Sequence, residues 1–167
     1  SIPGAFLPAV EKGVRQALAQ GVVAGFPLQD LRVVVLDGKH HPVDSKEVAF
    51  VTAGRKAFLE AIGKAGPQLL EPVVELTVTV PAEAMGDLTG ALAAKRARIH
   101  GSDSARAGEV VVRAHLPMAE LEGFPGELKS LSAGRGRYDL EFSHYDTAPP
   151  ALQARLAAAR KPRAEED

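Results

Sequence analysis

Between residues 74 and 80 the chain reads Val-Glu-Leu-Thr-Val-Thr-Val, apolar and polar strictly in turn. Successive side chains of a strand point to opposite faces. This period of two therefore sets Val74, Leu76, Val78 and Val80 on one side and Glu75, Thr77 and Thr79 on the other. The apolar row needs a cover, and the residues that follow supply one. Met85, Leu88 and Leu92 recur at helical spacing up to Lys95-Arg96, and a short strand is expected around Arg98-Ile99-His100. Val110, Val112, Ala114 and Leu116 alternate again, a second helix follows Pro117 through Leu121, Leu128 and Leu131, and Tyr138, Leu140 and Phe142 mark a last strand.

The resulting order, βαββαβ, is the ferredoxin-like split βαβ unit of the α+β class, assigned to residues 71–146. Residues 1–70 form a separate piece. Leu7, Val10, Val14 and Leu18 outline an amphipathic helix that Gly21 stops. A loop with Gly25 and Pro27 leads to Leu31-Arg32-Val33-Val34-Val35-Leu36, which reads as a buried strand bounded by Asp37-Gly38. Asp44 with Glu47 resembles a capping box, opening a helix that carries Phe50, Ala57, Phe58, Ala61 and Ile62 and closes at Gly66-Pro67. This αβα piece holds one strand, and a buried strand's backbone groups need partners. Either the strand extends the second domain's sheet, or its neighbours lie upstream of Ser1; the second is expected. In residues 147–167 a short helix passes through Leu152 and Leu156, and a polar tail starts at Lys161.

Charge narrows the function classes. The 167 residues include 20 Lys+Arg against 21 Asp+Glu, a net charge of −1, so nucleic acid would be met through local patches rather than bulk attraction. The absence of cysteine excludes disulfides, thiolate nucleophiles and cysteine metal sites, and a reducing cytoplasm is expected. No run approaches the roughly 20 apolar residues of a membrane helix, and no secretory signal pattern is visible. No G-x-x-x-x-G-K-[ST] loop occurs, so this chain is not expected to be an enzyme or to hold a nucleotide itself.

Three groups of residues could carry function. The first is the polar stretch from Asp37 to Ser45, with Lys39, His40, His41 and Asp44. Adjacent histidines are poorly spaced for a metal, and Ser45 lacks the G-x-S-x-G elbow of a hydrolase, so a solvated or RNA-contacting loop tip is the reading kept. The second is Gly134-Arg135-Gly136-Arg137, a turn whose glycines could admit a phosphate to paired guanidiniums. The third is Lys95-Arg96-Ala97-Arg98 at a helix end, where cations are favoured even without a ligand. Whether the Arg135–Arg137 and Lys95–Arg98 clusters converge depends on the fold. His100, His115 and His144 read as structural or exposed.

The order of motifs is similar to the C-terminal portion of bacterial elongation factor G. Ile2-Pro3, Pro8 to Val14, Gly21 to Pro27, Asp37-Gly38, Val43-Asp44-Ser45 and Ala49-Phe50 resemble the second half of its domain IV. Leu70-Glu71-Pro72, Met85 to Leu88, Val112-Arg113-Ala114, Pro117 to Glu120, Gly134-Arg135-Gly136 and Phe142 to Tyr145 resemble its domain V. His40-His41-Pro42 stands where the family usually has Tyr-His-Asp, which implies a diverged paralogue.

The resemblance implies a truncated ribosomal-protein-S5-like αβα piece before the ferredoxin-like domain. It also implies a ribosome-binding fragment of a translational GTPase acting in tRNA–mRNA translocation. Lys39, His40, His41 and Asp44 would be a tip loop in the decoding region. Lys95, Arg96, Arg98, Arg135 and Arg137 would be a basic patch near the sarcin–ricin loop of the large subunit. GTP and magnesium would belong to a monomeric parent, with no cofactor or metal in this chain and no membrane partner. A paralogue in ribosome recycling or drug protection is one alternative. An isolated ferredoxin-like ligand-binding or acyl-phosphatase-like module is another.

Overall fold

The computed structural model describes residues 2–41 and 46–159. They divide into two compact units, residues 70–148 and the segments on either side.

In the 70–148 unit the alternating segment becomes β1 (Leu70–Pro81), longer at its start than the pattern alone indicates. It is followed by α3 (Met85–Ala94), β2 (Arg98–Ser104), β3 (Glu109–Pro117), α4 (Phe124–Leu131) and β4 (Arg137–Thr147), where α1 and α2 are the helices of the other unit, Leu7–Gln20 and Glu47–Lys64. The sheet order is β2-β3-β1-β4 with every neighbouring pair antiparallel, so the βαββαβ expectation holds. β1 is paired along both edges, which satisfies its backbone donors and acceptors. Val74, Leu76, Val78 and Val80 pack with Val112, Ala114 and Leu116 of β3 under Leu88, Leu92, Phe124 and Leu128. Both helices lie on this one face, and Glu75, Thr77, Arg113 and His115 therefore occupy the other.

In the flanking unit, α1 ends where expected: Gly21 takes φ 73° and its N–H donates to the Ala17 carbonyl at 3.0 Å. Phe6 and Phe50 stack with ring centroids 4.2 Å apart, and Val14, Ala17 and Phe58 form a second small cluster. The two helices cross at glycines. A Cβ on Gly13 would overlap the Val51 carbonyl oxygen, and one on Gly54 would come within 2.7 Å of the Val10 carbonyl oxygen. The last helix, α5 (Pro150–Ala159), is tied to this unit by Gln153, whose side-chain oxygen accepts from the Leu69 N–H at 3.2 Å.

Two expectations are corrected. α2 begins at Glu47 with Lys46 as its N-cap and no side-chain cap, so Glu47 is not the third residue of a box opened by Asp44; Asp44 itself lies outside the described residues. Leu31–Leu36, expected as the buried strand of the αβα piece, joins no ladder among the described residues, and it is not part of the four-stranded sheet. Val34 is 60% and Leu36 92% exposed. The run instead borders a groove of about 400 Å³ shared with Val10, Val14, Phe50 and Phe58. β-branched composition makes a strand only where another edge takes its hydrogen bonds, and none is offered here among the described residues.

The crossing can be checked with paired substitutions. Gly63, also in α2, has open space around its Cβ position. Gly63→Ala should raise the stability read from thermal melting through helix propensity, by up to about 1 kcal/mol. Gly13→Ala should lower it, by about 1–3 kcal/mol, because the backbones must separate. Equal stabilisation by both would contradict the close approach.

Candidate functional site

The tip residues Lys39, His40 and His41 are exposed and lie outside any helix or strand. Gly38, just before them, is held against Ile2, close enough that a Cβ there would strike the isoleucine side chain. An anchored base with exposed imidazoles suits surface contact, not enclosure of a small ligand. Asp44, the fourth tip residue expected from sequence, lies outside the described residues.

The five cations of the 70–148 unit expected to form one patch, Lys95, Arg96, Arg98, Arg135 and Arg137, are not gathered together. Lys95, Arg96 and Arg98 sit where β1 begins. Arg98 meets Asp146 at 3.1 Å, and Asp146 pairs in register with Glu71. Arg135 and Arg137 sit where β1 ends, with Arg137 in register with Thr79. The stretch from Glu71 to Thr79 separates the groups by about 26 Å at a strand's rise of ~3.3 Å per residue. The sheet thus presents two basic ends.

Every one of these cations has an acidic partner. Arg96 makes a two-pronged contact to Glu71, Nη1 to Oε1 at 2.8 Å and Nη2 to Oε2 at 3.0 Å, and its Nε donates to Glu120 at 2.8 Å. Glu71 is only 8% exposed, and the hydrogen bonds that Arg96 donates to its carboxylate, joined by the one to Glu120, push the Arg96 pKa further up. Lys95 reaches Glu127 at 3.1 Å. Arg135 contacts Glu83 at 2.6 Å, and Arg137 forks onto Glu109 at 2.8 and 2.9 Å. Hydrogen bonds from these arginines hold the Glu83 and Glu109 carboxyls below the usual glutamate range. The turn carrying Arg135 is built rather than loose. Ser132 donates to the Leu128 carbonyl at 2.6 Å and accepts from the Gly136 N–H at 2.8 Å, and Gly134 takes φ 77°.

The scattered histidines are where the sequence reading misses most. Glu75 stands directly across from His115 in the β1–β3 ladder, and His100 joins them from β2. His115 Nε2 lies 2.7 Å from Glu75 Oε2, His100 Nε2 lies 2.9 Å from Oε1, and the two rings are 4.7 Å apart. His144 of β4 sets its ring edge-on to His115 at 5.7 Å. The signal in the sequence was a polar position inside each alternating strand, but strand register was needed to bring those positions together.

Two outcomes separate structural from exchangeable cations. Arg96→Ala should lower the urea midpoint by about 2 kcal/mol of stability, since Glu71 is left nearly buried without its fork, whereas Arg98→Ala should stay within about 0.5 kcal/mol. In a carboxyl NMR titration, Glu83 and Glu109 should protonate below a free glutamate. What their ion pairs contribute is therefore present above the unfolded pKa and is lost as pH falls through the folded one. Arg135→Ala should return the Glu83 midpoint to the ordinary range.

Comparison with known proteins places these features in a family. The family model described as "Elongation factor G, domain IV" matches residues 1–66, and "Elongation factor G C-terminus" matches residues 68–156. Elongation factor G of Aquifex pyrophilus is 43% identical over 159 residues, which is 95% of this chain and 23% of that protein. A crystal structure of a Thermus thermophilus protein superposes with a TM-score of 0.80 at 40% identity, covering 95% of this chain and 24% of the other. The chain thus spans about a quarter of the length of the relatives it matches.

Proposed function

The chain belongs to the elongation factor G family, corresponding to its C-terminal part, and from that premise we propose that it is the ribosome-contacting end of a translational GTPase that moves tRNA and mRNA. The observation that carries this reading is the end-to-end match of both family segments in order, over residues 1–66 and 68–156. GTP and magnesium would be bound by other parts of a longer protein, because the sequence here has no phosphate-binding loop. The setting is the cytoplasm, where ribosomes work; among the described residues no helix is long and apolar enough to cross a membrane.

The exposed tip of Lys39, His40 and His41 would meet tRNA and mRNA in the decoding region. Imidazole can hydrogen-bond 2′-hydroxyls and phosphates and can stack on bases, which suits RNA recognised by shape and sugar. The basic ends of the sheet would meet ribosomal RNA of the large subunit near the sarcin–ricin loop. Arg98, Arg135 and Arg137 supply guanidiniums there whose present partners are solvent-accessible carboxylates. Such contacts assist movement and break no bond.

The test is co-sedimentation of the chain with purified ribosomes over a salt series. Saturable binding that weakens with salt is expected, with a shallower salt dependence for Arg135→Ala/Arg137→Ala if these residues meet phosphate. In the full-length protein, His41→Ala should slow translocation several-fold, the loss of about 1 kcal/mol of RNA hydrogen bonding. A chain and a full-length protein that both fail to sediment with ribosomes would refute the proposal.

A further inference from the structure

We propose that Glu75, His100 and His115 form a binding site for a divalent transition-metal ion, with zinc the best match, on the open face of the sheet. Their ligand atoms all lie within 4.8 Å of one another. The three come from three different strands: Glu75 from β1, His115 from β3 and His100 from β2. None of them depends on a loop for its position.

Two features of the ladder aim the side chains. Glu75 and His115 are direct partners across β1 and β3, which fixes both on the face away from the helices. His100 falls where the β2–β3 register shifts between Ile99 and Gly101. A bulge of this kind re-aims a side chain, and here it turns the imidazole onto the same carboxylate. Both imidazoles present Nε2 to Glu75: His115 lies 2.7 Å from Oε2, and His100 straddles the carboxylate at 2.9 Å from Oε1 and 3.0 Å from Oε2.

The chemistry of the set selects the ion. Two imidazoles and a carboxylate suit zinc and its neighbours, whereas magnesium and calcium prefer oxygen alone. Bonds of about 2.0–2.1 Å in tetrahedral array place ligand atoms about 3.3 Å apart. Spreading the two Glu75–histidine contacts by roughly half an ångström, and closing the widest ligand pair from within 4.8 Å, is within reach of side-chain rotation with the backbone unmoved. Binding would use neutral Nε2 on each ring, the proton moving to Nδ1. Three protein ligands leave a fourth place for water or an anionic oxygen. His144, edge-on to His115, would wall one side. The Glu75 side chain is one-quarter exposed, so an ion can enter from solvent without opening the fold.

The experiment titrates chelator-stripped chain with zinc alone against a chromophoric indicator, and repeats it with cobalt to read the visible d–d bands. One equivalent should bind, with a tetrahedral cobalt spectrum and a higher melting temperature in zinc. His100→Ala and His115→Ala should each weaken binding by about tenfold or more. A His40→Ala/His41→Ala variant should bind as the unmodified chain does. If His115→Ala does not fold, His100→Ala on the exposed edge strand decides. No saturable binding, binding unchanged by His100→Ala, or binding lost with His40 and His41 would each overturn the proposal. None of these outcomes bears on ribosome association, which is read separately.

Discussion

Pairing of β1 along both edges is the constraint on which the 70–148 unit depends. Once β3 and β4 have taken its hydrogen bonds, the strand's alternation acts as a partition. Every even-numbered residue from Val74 to Val80 enters the core beneath Leu88, Leu92, Phe124 and Leu128. Glu75 and Thr77 are delivered to the opposite face, along with Arg113 and His115 from β3. A one-residue slip of β1 would exchange its two sets and bury the Glu75 carboxylate and two threonines in place of three valines and a leucine. The penalty for such burial is several times what one hydrogen bond contributes, so core and polar face specify the register together.

The flanking unit shows the converse. Its helices approach closely because Gly13 and Gly54 remove the side chains that would keep their backbones apart. The backbones thereby pack closely at the crossing, and the unit's buried clusters, each built around one phenylalanine, Phe50 or Phe58, are small. Leu31–Leu36 has the composition of a central strand and no ladder, so its apolar side chains stay largely exposed beside the groove. Hydrophobicity alone does not order a strand. The edge that accepts its backbone bonds does, and among the described residues that edge is missing.

What could be read from the sequence follows from this. Helical stripes, the glycine stop at Gly21 and the alternation of β1 and β3 are local signals, and the elements they announce are present. β4 was legible only from Tyr138 to Phe142, though it runs to Thr147, because apolar and polar residues no longer alternate beyond Phe142. The strand expected at Leu31 failed because its evidence was local while its existence is not. The site was less legible still. Lys95 to Arg98 and Arg135 to Arg137 look like one basic constellation until the sheet places them at its two ends. The Glu75–His115 pairing needed register, and the approach of His100 needed a bulge that no residue pattern announces.

Separating the cations by their partners also changes which of them can serve a ligand. Arg96 is committed on three sides to Glu71 and Glu120, and Lys95 is mostly buried beside Glu127. Withdrawing Arg96 to meet a phosphate would strand a nearly buried carboxylate, a cost that one new ion pair does not offset. Arg98, Arg135 and Arg137 differ, since more than half of each side chain is exposed. Exposed pairs contribute about 0–1 kcal/mol, so exchanging a carboxylate for a phosphate costs little. Their partners hold the guanidiniums extended and solvated, in place for the anion that the proposed function would bring to them. A nearly neutral chain can then present positive charge at chosen points without the non-specific adhesion of a uniformly basic surface. Lys95 and Arg96, read in sequence as part of a basic helix end, act first as parts of the fold, and the exchangeable charge lies with Arg98 beside them and with Arg135 and Arg137 at the other end of the sheet.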